Sequence, residues 1–150
     1  MDDRDFMLLA LEQARESAVE LEVPVGAVIV RRGEVVATGR NRRENGKNAL
    51  AHAELEAIDK ACKKLGGWRL WECEMFVTLE PCPMCTGAII NSRIKRLVYG
   101  AFDKKAGSCS SVINLFELPY NHKPEVVSGF MEEECSRLLS DFFRELRNKK

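Results

Sequence analysis

The chain has 150 residues, 23 of them basic and 23 acidic, for a net charge of zero, and 45% of it is hydrophobic. That length carries one domain with a real core and is short for two. Balanced charge argues against wholesale nucleic-acid affinity, the acidic start against a signal peptide, and the lack of any ~20-residue apolar run against a membrane span, so a cytoplasmic protein is expected.

Asp2 or Asp3 can cap a first helix with Phe6, Leu8, Leu9, Leu11, Ala14, Ala18 and Leu21 as its apolar content, and Pro24 ends that stretch. Val25 to Arg31 reads as a buried strand, with Gly26 allowing close backbone approach. Arg32-Gly33-Glu34 is a turn, and Val35 to Thr38 its hairpin partner. Gly39 to Leu50 is a polar loop. It feeds a helix from Ala51 with Leu55, Ile58, Ala61 and Cys62 on one stripe, ending near Gly66-Gly67. Trp68 and Trp71 follow, and core or interface packing is their expected use. Residues 74–79 read as a strand, Pro83 to about Ser92 as a helix, and Ile94 to Ala101 as a strand, which together make a parallel βαβ unit. Residues 102–123 form a long polar segment of the kind that is usually functional or disordered. Glu125 to Gly129 is a last short strand. Met131 to Asn148 is an amphipathic helix with Cys135, Leu138, Leu139, Phe142, Phe143 and Leu146 on its apolar side.

Charge is segregated along the chain. Residues 1–22 carry two basic and seven acidic side chains, residues 31–47 six and two, and residues 137–150 five and two. The two basic stretches can make a footprint for phosphates or simply a solvated surface.

Two short stretches carry chemistry: Ala51-His52-Ala53-Glu54 and Glu80-Pro81-Cys82-Pro83-Met84-Cys85. Pro83 suits the first helical position, which makes Cys82 the cap and Cys85 the third helical residue. Residues three apart share a helix face, so both sulfurs can grip one ion, and the helix dipole favours their thiolate forms. Met84 points elsewhere and is expected in the core. His52 starts its own helix, and Glu54, two residues on, diverges from it and is expected beside a metal rather than on it. Three ligands, His52, Cys82 and Cys85, leave a tetrahedral position open, which is the pattern of catalytic rather than structural zinc. A C-x-x-C alone fits a redox pair, half a zinc ribbon or two core cysteines equally well, and only the upstream H-x-E narrows it. Cys62, Cys73, Cys109 and Cys135 read as small buried hydrophobes.

His52-Ala53-Glu54 with Pro81-Cys82-Pro83-Met84-Cys85 resembles the H-x-E…P-C-x-x-C signature of the zinc-dependent nucleoside and nucleobase deaminases. Over essentially its whole length the chain is similar to the bacterial tRNA-specific adenosine deaminases. Val23-Pro24-Val25-Gly26-Ala27, Gly39-Arg40-Asn41, Tyr99-Gly100-Ala101-Phe102-Asp103, Asn121-His122 and Leu138-Leu139-Ser140-Asp141-Phe142-Phe143 support the likeness. The resemblance implies a single zinc-dependent deaminase domain over residues 1–150. It would have a three-layer α/β/α cytidine-deaminase-like fold, with a mixed five-stranded sheet and helices on both faces. It further implies one zinc ion per subunit, Glu54 as proton shuttle, a homodimer, and a tRNA anticodon stem-loop whose wobble adenosine becomes inosine. Asn41 matches the position that hydrogen-bonds the target base. Asp103 and Lys105 match positions near the flanking nucleotides, and Asn121 and His122 match anticodon contacts. Phe142, Phe143 and Arg147 match a C-terminal helix that shapes the RNA groove. On the residues alone, Asn41 reads equally as a loop cap and the two Phe as a core stripe. A deaminase of free guanine or cytidine, and a non-catalytic zinc module with a fourth protein ligand, are the competing readings.

Overall fold

Alternation along the first strand decides which helices each face of the sheet receives. In the computed structural model, which describes residues 1–149, β1 (Gly26–Arg31) turns Ala27 and Ile29 into one core cluster and Val28 and Val30 into another, as the period of two requires. The first cluster is closed by α2 (Ala53–Leu65) and α3 (Pro83–Ser92), the second by α1 (Asp3–Val19) and α4 (Glu132–Asn148). The remaining strands are β2 (Glu34–Arg40), β3 (Cys73–Leu79), β4 (Arg96–Ala101) and β5 (Glu125–Val127), in the order β2-β1-β3-β4-β5. β1 runs antiparallel to β2 and β3, whereas β3-β4 and β4-β5 are parallel. The expected three layers, mixed sheet and β3-α3-β4 unit are therefore present.

Local chemistry starts and seats the helices. Asp2 caps α1 in a reciprocal capping box with Asp5. The buried side of α1 is Phe6, Met7, Ala10, Leu11, Ala14 and Ser17. Leu8 is exposed, and Leu21 lies past the helix end and is exposed too, because the 3.6-residue stripe runs through Met7 and Ala10 instead. Two glycines let helices press onto the sheet: a Cβ at Gly26 would fall 1.9 Å from the Ala10 carbonyl oxygen, and one at Gly39 2.1 Å from that of Ala53. The second contact rotates α2 from its expected stripe. Ala53, Ala57 and Ala61 face the sheet, Ile58, Cys62 and Leu65 flank them, and Leu55 belongs to neither core cluster.

Of the core or interface packing expected for the tryptophans, the core is excluded: Trp68 and Trp71 are 51% and 55% exposed; Arg69 stacks on the Trp68 ring at 4.1 Å, and Arg93 lies 5.6 Å from it. Two further expectations are corrected. Met84 is half-buried and outside both clusters. Cys62 is half-buried, whereas Cys73, Cys109 and Cys135 are buried as expected; all six cysteines are free thiols. The segment between β4 and β5 is ordered by a 3-10 turn at Leu115–Glu117 and a bridge from Cys109 to Asn114. No helix among the described residues is long and apolar enough to cross a membrane.

Candidate active site

Two helix starts on the same face of the sheet build the site. β3 ends at Leu79, and the Glu80 N–H still reaches the Ala101 carbonyl at 2.8 Å. Cys82 then caps α3 with extended backbone, Pro83 opens the helix, and Cys85 occupies its first turn. His52 caps α2 in the same extended conformation. Neither side chain makes the capping hydrogen bond that is the usual work of a cap. Instead they turn toward each other.

His52 Nδ1 lies 3.7 Å from Cys82 Sγ and 3.6 Å from Cys85 Sγ. The three donor atoms all fall within 4.8 Å of one another. Zn–S and Zn–N bonds of ordinary length at a tetrahedral angle place N and S about 3.6 Å apart. One imidazole and two thiols at these separations therefore suit a metal ion without rearrangement. Without metal, the Cys82 thiol is lowered to about 4 by hydrogen bonds from Cys85 and His52. Cys85 is pushed up by donating to Cys82 and by burial, and His52 is raised chiefly by its hydrogen bond to Cys82.

Glu54 stands on the first turn of α2, 4% exposed, outside the His-Cys-Cys cluster as expected. Burial lifts its carboxyl to about 7. A carboxyl group that titrates near neutrality can both take and give a proton in one cycle.

A cavity of about 210 Å³ opens onto this cluster. His52, Glu54, Cys82, Asn41 and Asp103 all line it, so five of the expected residues meet here. The Asn41 side chain is half committed: Nδ2 donates to the Val23 carbonyl at 3.1 Å and Oδ1 accepts from the Arg43 N–H at 3.1 Å. An amide has a second N–H and further lone pairs to offer, so a capping role leaves it free to meet a ligand. Asp103 Oδ1 accepts from the N–H groups of Lys105 and Ala106. Lys105, Asn121, His122, Phe142, Phe143 and Arg147 are not among the residues that line the cavity. His122 Nε2 donates to the Ile94 carbonyl at 2.7 Å. Phe142 packs edge-on against Phe143 at 5.4 Å and borders a separate hollow with Ala18 and Leu21. Neither Phe is a fully buried core residue: Phe142 is half-buried and Phe143 exposed.

Sequence reasoning missed two buried carboxylates. Glu22 accepts from the N–H groups of Glu44 and Asn45 at 3.0 and 2.7 Å, and so ties down the loop that carries Asn41. Glu80 lines the cavity and accepts from the N–H of a second lining residue, Asp103. A signal existed only for Glu80, an acid directly after the largely apolar run of residues 75–79; the partners of both lie far off in sequence.

Comparison with known proteins agrees with this geometry. The MafB19-like deaminase family matches residues 1–147. The tRNA-specific adenosine deaminase of Bacillus subtilis (strain 168) is 50% identical over 149 residues, 99% of this chain and 92% of that protein. A structure from studies of A-to-I editing by tRNA:A34 deaminases at the wobble position of transfer RNA superposes with a TM-score of 0.88 at 44% identity, covering 91% of this chain and 99% of the other. The guanine deaminase of Bacillus subtilis is more distant, with a TM-score of 0.67 at 32% identity over 99% of this chain and 95% of the other. The chain belongs to the MafB19-like deaminase family and, within it, to the tRNA-specific adenosine deaminases.

Proposed function

We propose that this protein hydrolyses adenosine to inosine at the wobble position of a tRNA anticodon. In this reading residues 1–150 form a single deaminase domain that works as a cytoplasmic homodimer with one zinc ion per subunit. The observation that carries the reaction class is the His52-Cys82-Cys85 cluster beside the buried Glu54 carboxyl group on one cavity. The kinship with tRNA-acting deaminases supports the substrate.

His52, Cys82 and Cys85 would hold the zinc, which when bound would supply the Lewis acidity that makes water nucleophilic at neutral pH. Glu54 accepts a proton from the attacking water as its oxygen adds to the ring carbon bearing the exocyclic amine, and passes it to the adjacent ring nitrogen. It then takes the second proton from the newly added hydroxyl and gives it to the amine as the C–N bond breaks and the C=O bond forms, so adenosine and water leave as inosine and ammonia. Asn41 and Asp103 position the base from the cavity walls. A loop nucleotide enters readily, because an unpaired base is splayed out at little cost. Lys105, Asn121, His122, Phe142, Phe143 and Arg147 are assigned to nucleotides outside the cavity. Exposed apolar side chains near α3, including Trp68, Ile113 and Leu118, support a subunit interface on that side.

The test is a substrate comparison. The protein is incubated with an anticodon stem-loop bearing wobble adenosine and, separately, with free adenosine, cytidine and guanine. Inosine in the RNA alone supports the proposal; turnover of guanine or cytidine with inert RNA favours a free-base deaminase.

A further inference from the structure

Glu80 follows β3 and is 1% exposed, yet the deamination chemistry gives it no part. Its carboxylate meets five donors. Oε1 accepts from the Asp103 N–H at 3.0 Å and the Ser111 hydroxyl at 2.5 Å. Oε2 accepts from the consecutive N–H groups of Cys109, Ser110 and Ser111 at 3.2, 2.9 and 2.9 Å. Consecutive backbone N–H groups that converge on one oxygen form an anion-binding concavity. Here the anion comes from the protein itself. Burying a carboxylate is costly unless donors surround it, and five donors saturate its lone pairs.

Every one of those donors lies within residues 103–111, a stretch without helix or strand that must find partners for its N–H groups elsewhere. The same stretch presents Asp103 and Ala106 to the cavity. Gly107 sits at the crossing, where a Cβ would fall 2.3 Å from the Glu80 carboxyl carbon and 2.5 Å from the Asp103 carbonyl oxygen. There is no room there for any side chain.

We propose that Glu80 is a positioning residue: its carboxylate winds residues 103–111 around itself and so fixes the wall against which the substrate base and its neighbours rest. This rests on the reading of the cavity as the site of the target base. Glu80 acts on substrate placement through the loop, not on the metal or on the proton transfers of Glu54.

Glu80→Gln tests it, since the amide keeps the shape but turns an NH2 group toward N–H donors. Zinc content, kinetics on the stem-loop and amide hydrogen exchange are measured together. Zinc is expected at the wild-type level, with KM raised about tenfold and kcat within about twofold. Exchange protection is expected to fall at residues 109–111 and to persist in β3 and β4. Ser111→Ala removes one donor without touching the carboxylate, and is expected to move KM and protection the same way by less; it decides the matter if Glu80→Gln does not fold. Unchanged protection at 109–111 overturns the proposal. So does loss of zinc or of kcat with KM unchanged, which would make Glu80 a support for α3. If the wild-type protein turns over free bases only, the tRNA reading fails, while the exchange pattern still decides whether Glu80 holds the loop.

Discussion

His52 Nδ1 and Cys85 Sγ stand 3.6 Å apart although 33 residues separate them in the chain. Their meeting follows from placement. α2 and α3 pack on the same face of the sheet, each begins with a residue whose side chain makes no capping hydrogen bond, and both starts open onto one cavity. A proline at the first position of α3 and a glycine that lets α2 press onto β2 fix the two starts.

Glu54→Gln should separate binding from chemistry. The variant keeps the three ligands and is expected to retain zinc, measured by elemental analysis. Single-turnover inosine formation should fall by about 10²–10⁴-fold, the usual weight of a general acid–base group. Near-normal turnover in a zinc-loaded variant removes Glu54 from the mechanism.

Removing the metal should expose a graded set of thiols. Cys82, lowered to about 4, is a thiolate throughout the neutral range once metal is stripped. Cys109 and Cys135, pushed up to about 12 by burial, stay protonated. Brief alkylation of chelated protein, read by peptide mass spectrometry, should label Cys82 first. Adding zinc should suppress that labelling and restore activity. Equal labelling with and without zinc would contradict the ligand assignment.

Gly39→Ala should couple fold to site. A methyl group there meets the Ala53 carbonyl oxygen at the first residue of α2. Forcing the helix outward should cost roughly 1–3 kcal/mol and weaken zinc binding, because His52 immediately precedes that residue. Urea unfolding with parallel zinc titration reads both. Lost stability with unaltered zinc affinity would show that α2 yields without moving its cap.

Acid should reveal the ion pair that ties α1 to the sheet. Arg96 meets the Asp3 carboxylate through two nitrogens at 3.0 and 2.6 Å, and that hydrogen bonding holds the Asp3 carboxyl below its ordinary 3.8. A depressed folded-state pKa contributes stability above the unfolded value and loses it as pH falls through the folded one. Arg96→Gln should therefore be less stable than wild type at pH 7, and the gap should narrow as pH falls below 3.8 and through the lowered pKa of Asp3. A gap that persists in acid would assign the loss to packing.

Most of the fold was legible because local rules decided it. The capping box at Asp2, Pro83 at a helix start, and the strand-helix-strand run of β3, α3 and β4 each follow from neighbours in sequence. The metal cluster was legible for the same reason, since three residues with cap spacing suffice to propose it. What sequence concealed depends on distant surroundings. Apolarity left Trp68 and Trp71 open to core or interface packing, and only the structure decides: both are exposed, with Arg69 and Arg93 stacked near the Trp68 ring. The face of α2 depends on a glycine fourteen residues before the helix begins. Glu22 and Glu80 find their donors more than twenty residues away, so periodicity along one element could not show them.

X-ray absorption at the zinc edge, on protein purified with its metal, speaks most directly to the chemistry assigned here. Two sulfurs, one imidazole nitrogen and one light solvent atom per zinc are expected, with the nitrogen lost in His52→Ala and a sulfur lost in Cys82→Ser. Four protein ligands with no solvent, or a spectrum indifferent to both substitutions, would contradict a hydrolytic metal centre at this cavity.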